Sequence, residues 1–217
     1  MKEFQELKLQ KPIIRALQFN SYEKPTPIQA QSIPVALERK DIIACAQTGT
    51  GKTAAFALPI LQMLMKNNKA PESKSARVLI LAPTRELAGQ IDESFRVYGR
   101  YLKISRALIY GGVKATGQIR DLRRGVDILI ATPGRLLDLF NQGKLRLDKI
   151  EVIVLDEADR MLDMGFLPDV RKIYSAIPED RQSMLFSATF PDEIRKLTRK
   201  FLNNPVYVAV SPPAKTV

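Results

Sequence analysis

Seven short, nearly unbroken apolar runs divide this chain, with helical spacing in the residues between them. The runs lie near 41–45, 77–82, 106–110, 127–131, 151–155, 183–187 and 206–210. Two of them are nearly continuous, as Val78-Leu-Ile-Leu-Ala82 and Val152-Ile-Val-Leu155 show. Strands of this kind are buried on both faces, as in a parallel sheet covered by helices on each side. Helices are expected at about 11–18, 27–38, 52–66, 85–102, 115–123, 134–141, 168–176 and 192–202. This alternation predicts an α/β fold with a doubly wound, mostly parallel sheet, and 217 residues suit one domain with a proper core. Ligands of such sheets bind beyond the carboxyl ends of the strands. Polar segments gather at those ends: Thr48–Lys52, Pro83-Thr-Arg-Glu86, Thr132-Pro-Gly-Arg135, Asp156-Glu-Ala-Asp159 and Ser187-Ala-Thr189.

Ala46-Gln-Thr-Gly-Thr-Gly-Lys-Thr53 follows the run Asp41-Ile-Ile-Ala-Cys45. A strand ending in a glycine-bearing loop that opens a helix builds a cradle for polyphosphate. Gln47, Thr48, Gly49, Thr50 and Gly51 would offer backbone N–H groups, Lys52 would reach the outer phosphates, and Thr53 could offer its hydroxyl to magnesium. The strict P-loop pattern wants glycine where Ala46 stands, so an ordinary glycine-bearing turn competes. Asp156–Asp159 has the Walker B form, in which Asp156 would hold magnesium through water and Glu157 would deprotonate the attacking water. The competing reading is a solvated acidic turn. In Ser21-Tyr-Glu-Lys-Pro-Thr-Pro-Ile-Gln29 the Gln29 amide matches the donor and acceptor of an adenine edge, and Tyr22 or Phe4 could stack on the base. Alone, the segment reads equally as a helix start with Gln29 facing solvent.

Arg85, Arg135 and the pair Gly111-Gly112 form a candidate nucleic-acid track, with helix starts at Pro83-Thr84 and Thr132-Pro133 presenting N–H groups to anions. Each of these alone is also an ordinary cap, turn or surface arginine. Lys and Arg outnumber Asp and Glu by 34 to 23, a net +11 that favours a polyanionic partner. Clusters such as Arg120, Arg123, Arg124 read as solvated surface. The chain has no histidine, which excludes a histidine triad, a histidine-ligated zinc site and imidazole acid–base chemistry. Its single cysteine, Cys45, permits no internal disulfide, which points to a reducing compartment, and it reads as a small core residue. No run approaches membrane-spanning length, so a cytoplasmic protein is expected. Lys66–Ser75 reads as a solvent loop, and Ser211–Val217 as the start of a linker.

In order, these segments resemble the motifs of the DEAD-box ATP-dependent RNA helicases. The correspondence covers Phe4, Ser21–Gln29, Ala46–Thr53, Pro83–Ala88, Gly111-Gly112, Thr132–Arg135, Asp156–Asp159 and Ser187–Thr189. Ala46 is the usual residue of that family, whereas Ser21 stands where a glycine is common, a change expected to matter little. Asp159-Arg-Met-Leu-Asp-Met-Gly-Phe166 and Lys52-Thr-Ala-Ala-Phe-Ala-Leu-Pro59 look especially like the bacterial RhlE-type branch. The resemblance implies a RecA-like P-loop NTPase domain over 1–210, with residues 2–30 forming its Q motif. It implies ATP and Mg2+ as ligands, with Phe4, Tyr22, Thr26 and Gln29 at the nucleotide, and Lys52, Asp156 and Glu157 as catalytic groups. Single-stranded RNA would be held along its backbone by Pro83, Thr84, Arg85, Gly111, Gly112, Thr132, Pro133, Gly134 and Arg135. Asp159, Ser187 and Thr189 would couple the nucleotide to the RNA grip, the two hydroxyls bridging toward the Asp156–Asp159 carboxylates. A second RecA-like domain would follow the linker, supply arginine fingers and make unwinding possible. The alternatives are an ATP-gated RNA clamp without unwinding of its own, or a DNA translocase of the same superfamily.

Overall fold

A computed structural model describes residues 3–210; the expected linker, 211–217, lies outside the described residues. All seven expected strands are present: β1 (Ile42–Cys45), β2 (Ala76–Leu81), β3 (Arg106–Ile109), β4 (Val126–Ala131), β5 (Val152–Leu155), β6 (Gln182–Ser187) and β7 (Val206–Ala209). They form one sheet in the order β3-β4-β2-β5-β6-β1-β7, and every neighbouring pair is parallel. The apolar composition follows from this position. In β2, Val78 and Ile80 enter one core while Leu79 and Leu81 enter the other.

The first core is roofed by α1 (Lys11–Phe19), α2 (Pro27–Leu37), α3 (Lys52–Lys66) and α4 (Arg85–Tyr98). Phe56 of α3 sits at its centre, 5.3 Å from Phe186 and 6.3 Å from Phe95 between ring centroids. The second core is roofed by α5 (Ala115–Leu122), α6 (Pro133–Asn141), α7 (Ala158–Asp163), α8 (Leu167–Ala176) and α9 (Asp192–Phe201). Among the described residues the chain thus covers one face with its first four helices and then the other face with the rest. No helix among them is long and apolar enough to cross a membrane.

Several expectations need correction. α4 stops at Tyr98 rather than 102: Gly99 (φ −88°, ψ 11°) is its C-cap, and its N–H on the Phe95 carbonyl is the last bond of the helical pattern. α7 was not anticipated, since six residues are too few to establish a helical period. Cys45 is only half-buried, with Sγ 3.5 Å from the Ala188 carbonyl oxygen, so it is not a core residue. Ser21 is not a neutral replacement: its φ of 57° lies in the left-handed region that favours glycine. It ends α1 with the paired bonds of a Schellman motif, Ser21 N–H to the Gln18 carbonyl and Tyr22 N–H to the Leu17 carbonyl.

Two buried polar groups hold elements in register at the end of the sheet away from the polar tetrads. Asp41 accepts the N–H of Ser183 at 2.7 Å and that of Asn203 at 2.7 Å, tying the starts of β6 and β7 to β1. Arg77 pairs with Glu151 at 2.8 Å and donates to the Asn67 and Lys69 carbonyls, so the exposed 66–75 loop is pinned to the sheet.

Candidate nucleotide and nucleic-acid site

The polar tetrads all emerge from one edge of the sheet, at the carboxyl ends of β1, β2, β4, β5 and β6. Gly49 (φ 84°) and Gly51 (φ 88°) turn the chain from β1 into α3, leaving Lys52 and Thr53 in the first turn of the helix. Among the described residues, no main-chain acceptor takes the N–H groups of the loop 47–51, which remain free for an anion. Gly51 meets two requirements at once, since besides its φ a Cβ there would lie 2.4 Å from Gln29 Nε2.

Lys52 and Asp156 are both buried and face each other across this loop, Nζ to Oδ1 at 3.9 Å. Burial pushes the Asp156 carboxyl up to about 6; the Lys52 ammonium opposes that shift and the Glu157 charge adds to it. A cation between them and the loop would find one carboxylate, the half-buried Thr53 at the helix start, and phosphate oxygens, a hard oxygen set that suits magnesium. Glu157 stands in the left-handed region (φ 53°), a strained placement for a side chain next to a binding loop. Its Oε1 accepts the Thr48 hydroxyl at 3.2 Å and its Oε2 accepts Arg160 Nη1 at 3.3 Å. Sequence reasoning passed over Arg160; its i,i+3 spacing from Glu157 was the available signal.

Asp159, Ser187 and Thr189 close a ring. Ser187 Oγ accepts the Asp159 N–H at 3.1 Å and donates to the Thr189 carbonyl at 2.8 Å. Asp159 Oδ2 accepts both the N–H and the hydroxyl of Thr189, at 2.9 and 3.0 Å. The hydroxyls thus reach Asp159 and not Asp156, whose Oδ1 takes the Glu157 N–H.

Gln29 is buried and already engaged: Oε1 accepts the Thr26 N–H at 3.0 Å, and Nε2 donates to the Gly51 carbonyl at 3.1 Å. One Nε2 hydrogen and one Oε1 lone pair remain for a base. Phe4 and Tyr22 line a common cleft of about 410 Å³ with Gln18 and Lys24; Gln29 lies outside that lining. Phe4 is largely packed away, whereas Tyr22 is 45% exposed and meets Tyr98 edge-on.

The candidate track lies on the β2, β3 and β4 side of the same edge. Thr84 accepts the Leu87 N–H and caps α4, and Arg85 is exposed beside Glu86 and the Tyr110 ring. Gly111 and Gly112 are exposed, and Thr132 with Pro133 starts α6. Pro83 and Pro133 are themselves buried, so they shape the backbone, while nothing crowds the Cα of Gly134. Arg135 is half-buried and engaged by the Val113 carbonyl and by Gln118, a residue that sequence reasoning did not single out.

The sequence model of the DEAD/DEAH box helicases matches residues 26–197. The chain is 44% identical over 217 residues to the DEAD-box ATP-dependent RNA helicase CshA of Geobacillus kaustophilus, covering all of this chain and 45% of that protein. It is 47% identical over 214 residues to the ATP-dependent RNA helicase DeaD of Escherichia coli, covering 98% of this chain and 33% of that one. Its fold superposes with a TM-score of 0.89 on the crystal structure of a DEAD box protein from the hyperthermophile Methanococcus jannaschii, at 39% identity over 96% of this chain and 56% of the other. A hypothetical ATP-dependent RNA helicase from Sulfolobus tokodaii gives 0.85 at 37% identity, over 93% of this chain and 57% of the other. The chain spans about a third to a half of the curated relatives it matches.

Proposed function

This chain belongs to the DEAD/DEAH box helicase family, and on that premise we propose that it is the first RecA-like, ATP-binding unit of an ATP-dependent RNA helicase. The observation that carries the reading is the buried Lys52–Asp156 pair, 3.9 Å apart, at the mouth of the glycine loop. In this reading the loop amides and Lys52 hold the outer phosphates, displacing Lys52 from its resting partner. Asp156 and Thr53 are the residues that would hold magnesium, which when bound spreads the charge of the leaving phosphate. Glu157 orients and deprotonates the attacking water once Thr48 and Arg160 yield its oxygens. Gln29 reads the adenine edge while bracing Gly51, so base identity is felt directly at the phosphate loop.

Single-stranded RNA would run along Thr84, Arg85, Gly111, Gly112, Thr132, Gly134 and Arg135, contacted through its backbone. The Asp159–Ser187–Thr189 ring then links the metal-side strand β5 to β6. A second RecA-like unit would complete the ATP site with arginine and make strand separation possible; such arginines are worth roughly 10³–10⁵ in rate. This unit alone would bind ATP weakly, hydrolyse it poorly and separate no strands. The segments 52–59 and 159–166 support the RhlE-type branch. Cytoplasmic RNA metabolism fits the single cysteine.

Glu157→Gln in the full-length enzyme tests the reading. ATP binding should persist while RNA-stimulated hydrolysis disappears; wild-type turnover by this variant would remove Glu157 as the base. Competition by GTP should be weak, and equal affinity for GTP and ATP would contradict the role of Gln29.

A further inference from the structure

The outer face of α1 and the segment after α4 form a second basic surface that the site above does not use. Lys11, Arg15 and Phe19 recur at intervals of four on α1, and therefore share one helix face. Arg100 and Tyr101 interleave with this stripe. The Arg15 guanidinium lies 4.4 Å from the Tyr101 ring centre, and that of Arg100 lies 3.8 Å from Phe19 and 5.9 Å from Tyr101. Phe19 is nevertheless 59% exposed.

Several other exposed arginines sit against carboxylates, as Arg85 does with Glu86, Arg96 with Glu93 and Arg160 with Glu157, whereas among the described residues Arg123 and Arg124 pair with neither a carboxylate nor a ring. Among the described residues, Arg15 and Arg100 are held by rings alone. Residues 11–19 and 99–104 contain Lys11, Arg15, Arg100 and Lys103 and no acidic residue. A cleft of about 300 Å³ opens beside Tyr101 and Lys103, lined also by Pro12, Leu64, Leu102 and Asp127, whose carboxylate is hydrogen-bonded to Ser105. α4 starts at Arg85 in the candidate track and ends at Tyr98, so its 14 residues hold the two surfaces about 20 Å apart.

We propose that this arginine–aromatic face is an accessory binding surface for single-stranded RNA, separate from the track at the strand tips. It rests on the RNA-binding reading above and adds a second point of grip. The Phe19 and Tyr101 rings accept bases, while the Arg15 and Arg100 guanidiniums, flanked by Lys11 and Lys103, take phosphates. An acidic peptide would satisfy the cations but leave the Phe19 and Tyr101 rings without a partner.

The test is fluorescence anisotropy of a labelled single-stranded oligouridylate with wild type, Arg15→Glu/Arg100→Glu, Phe19→Ala and the charge-matched control Arg123→Glu/Arg124→Glu. The first variant should bind about tenfold more weakly, with a log–log salt slope shallower by roughly 1.4, the value for two lost phosphate contacts on a single strand. Phe19→Ala should bind about fivefold or more weakly with an unchanged slope, because only stacking is lost. The control should stay near wild type. An Arg15→Glu/Arg100→Glu protein that binds no worse than the control overturns the proposal and leaves the RNA reading standing. Wild-type protein that binds no oligouridylate overturns both. Polyglutamate that competes as well as RNA at equal charge assigns the face to an acidic protein instead and overturns the RNA assignment.

Discussion

Ser21 and Glu157 both occupy left-handed backbone, with φ of 57° and 53°, yet for different reasons. Glu157 is held there beside the glycine loop, its carboxylate tied to the Thr48 hydroxyl. Ser21 merely closes α1, a task glycine performs without a Cβ penalty. Ser21→Gly is therefore expected to stabilise the protein by about 1 kcal/mol in urea unfolding, the left-handed penalty outweighing the entropy of a freer chain. No gain would mean that the serine is not strained. Asp156 makes a second residue-level prediction. Its folded-state value of about 6 exceeds the ordinary 3.8, so the fold binds that proton more tightly than the unfolded chain does. This contribution to stability is complete below 3.8 and is lost as pH rises through about 6. Ligand binding has the opposite sign, because a protonated Asp156 cannot hold a cation. ATP–magnesium affinity should fall about fourfold between pH of about 7.5 and about 5.5, whereas Asp156→Asn should show a flat profile.

At the scale of elements, two contacts far apart in sequence hold the back of the sheet. Gly125 (φ 76°) precedes β4, and a Cβ there would lie 2.0 Å from the Glu72 carbonyl oxygen of the pinned loop. Gly125→Ala should cost about 1–3 kcal/mol in thermal or urea unfolding; wild-type stability would show that the loop moves aside freely. Asp41→Asn should cost a similar ~1–3 kcal/mol, because an amide offers one acceptor where Ser183 and Asn203 present two N–H groups. These contacts explain what the sequence leaves unread. Strands such as Val152–Leu155 were legible because burial on both faces leaves an unbroken apolar run. That the loop Gln47–Lys52 and Asp156-Glu157 meet at one edge of the sheet was legible, because each motif directly follows an apolar run and so lies at a strand's carboxyl end. Asp41 and Arg77 were not, since their partners lie as many as 162 positions away for Asp41 and 74 for Arg77. The resting bonds of Gln29 and Glu157 were equally hidden, because a motif gives the groups but not what they touch before a ligand arrives.

At the scale of the molecule, covering one face with α1–α4 and the other with α5–α9 delivers all the polar tetrads to one edge of the sheet. The strand order sets β6 between β5 and β1, so Ser187 is interposed between the carboxylates of one strand tip and the phosphate loop of the other. On the proposed reading, a change at a bound nucleotide would have a short covalent and hydrogen-bonded route to Asp159 and Thr189. The central claim is that Lys52 and Asp156 grip one magnesium-bound triphosphate from opposite sides. Calorimetric titration of ATP–magnesium into wild type, Lys52→Ala, Asp156→Ala and the double variant tests it most directly. Each single change should weaken binding about tenfold to a hundredfold, and the double variant should lose clearly less than the two losses combined. Wild-type affinity in either single variant, or losses that simply add, would contradict a shared ligand.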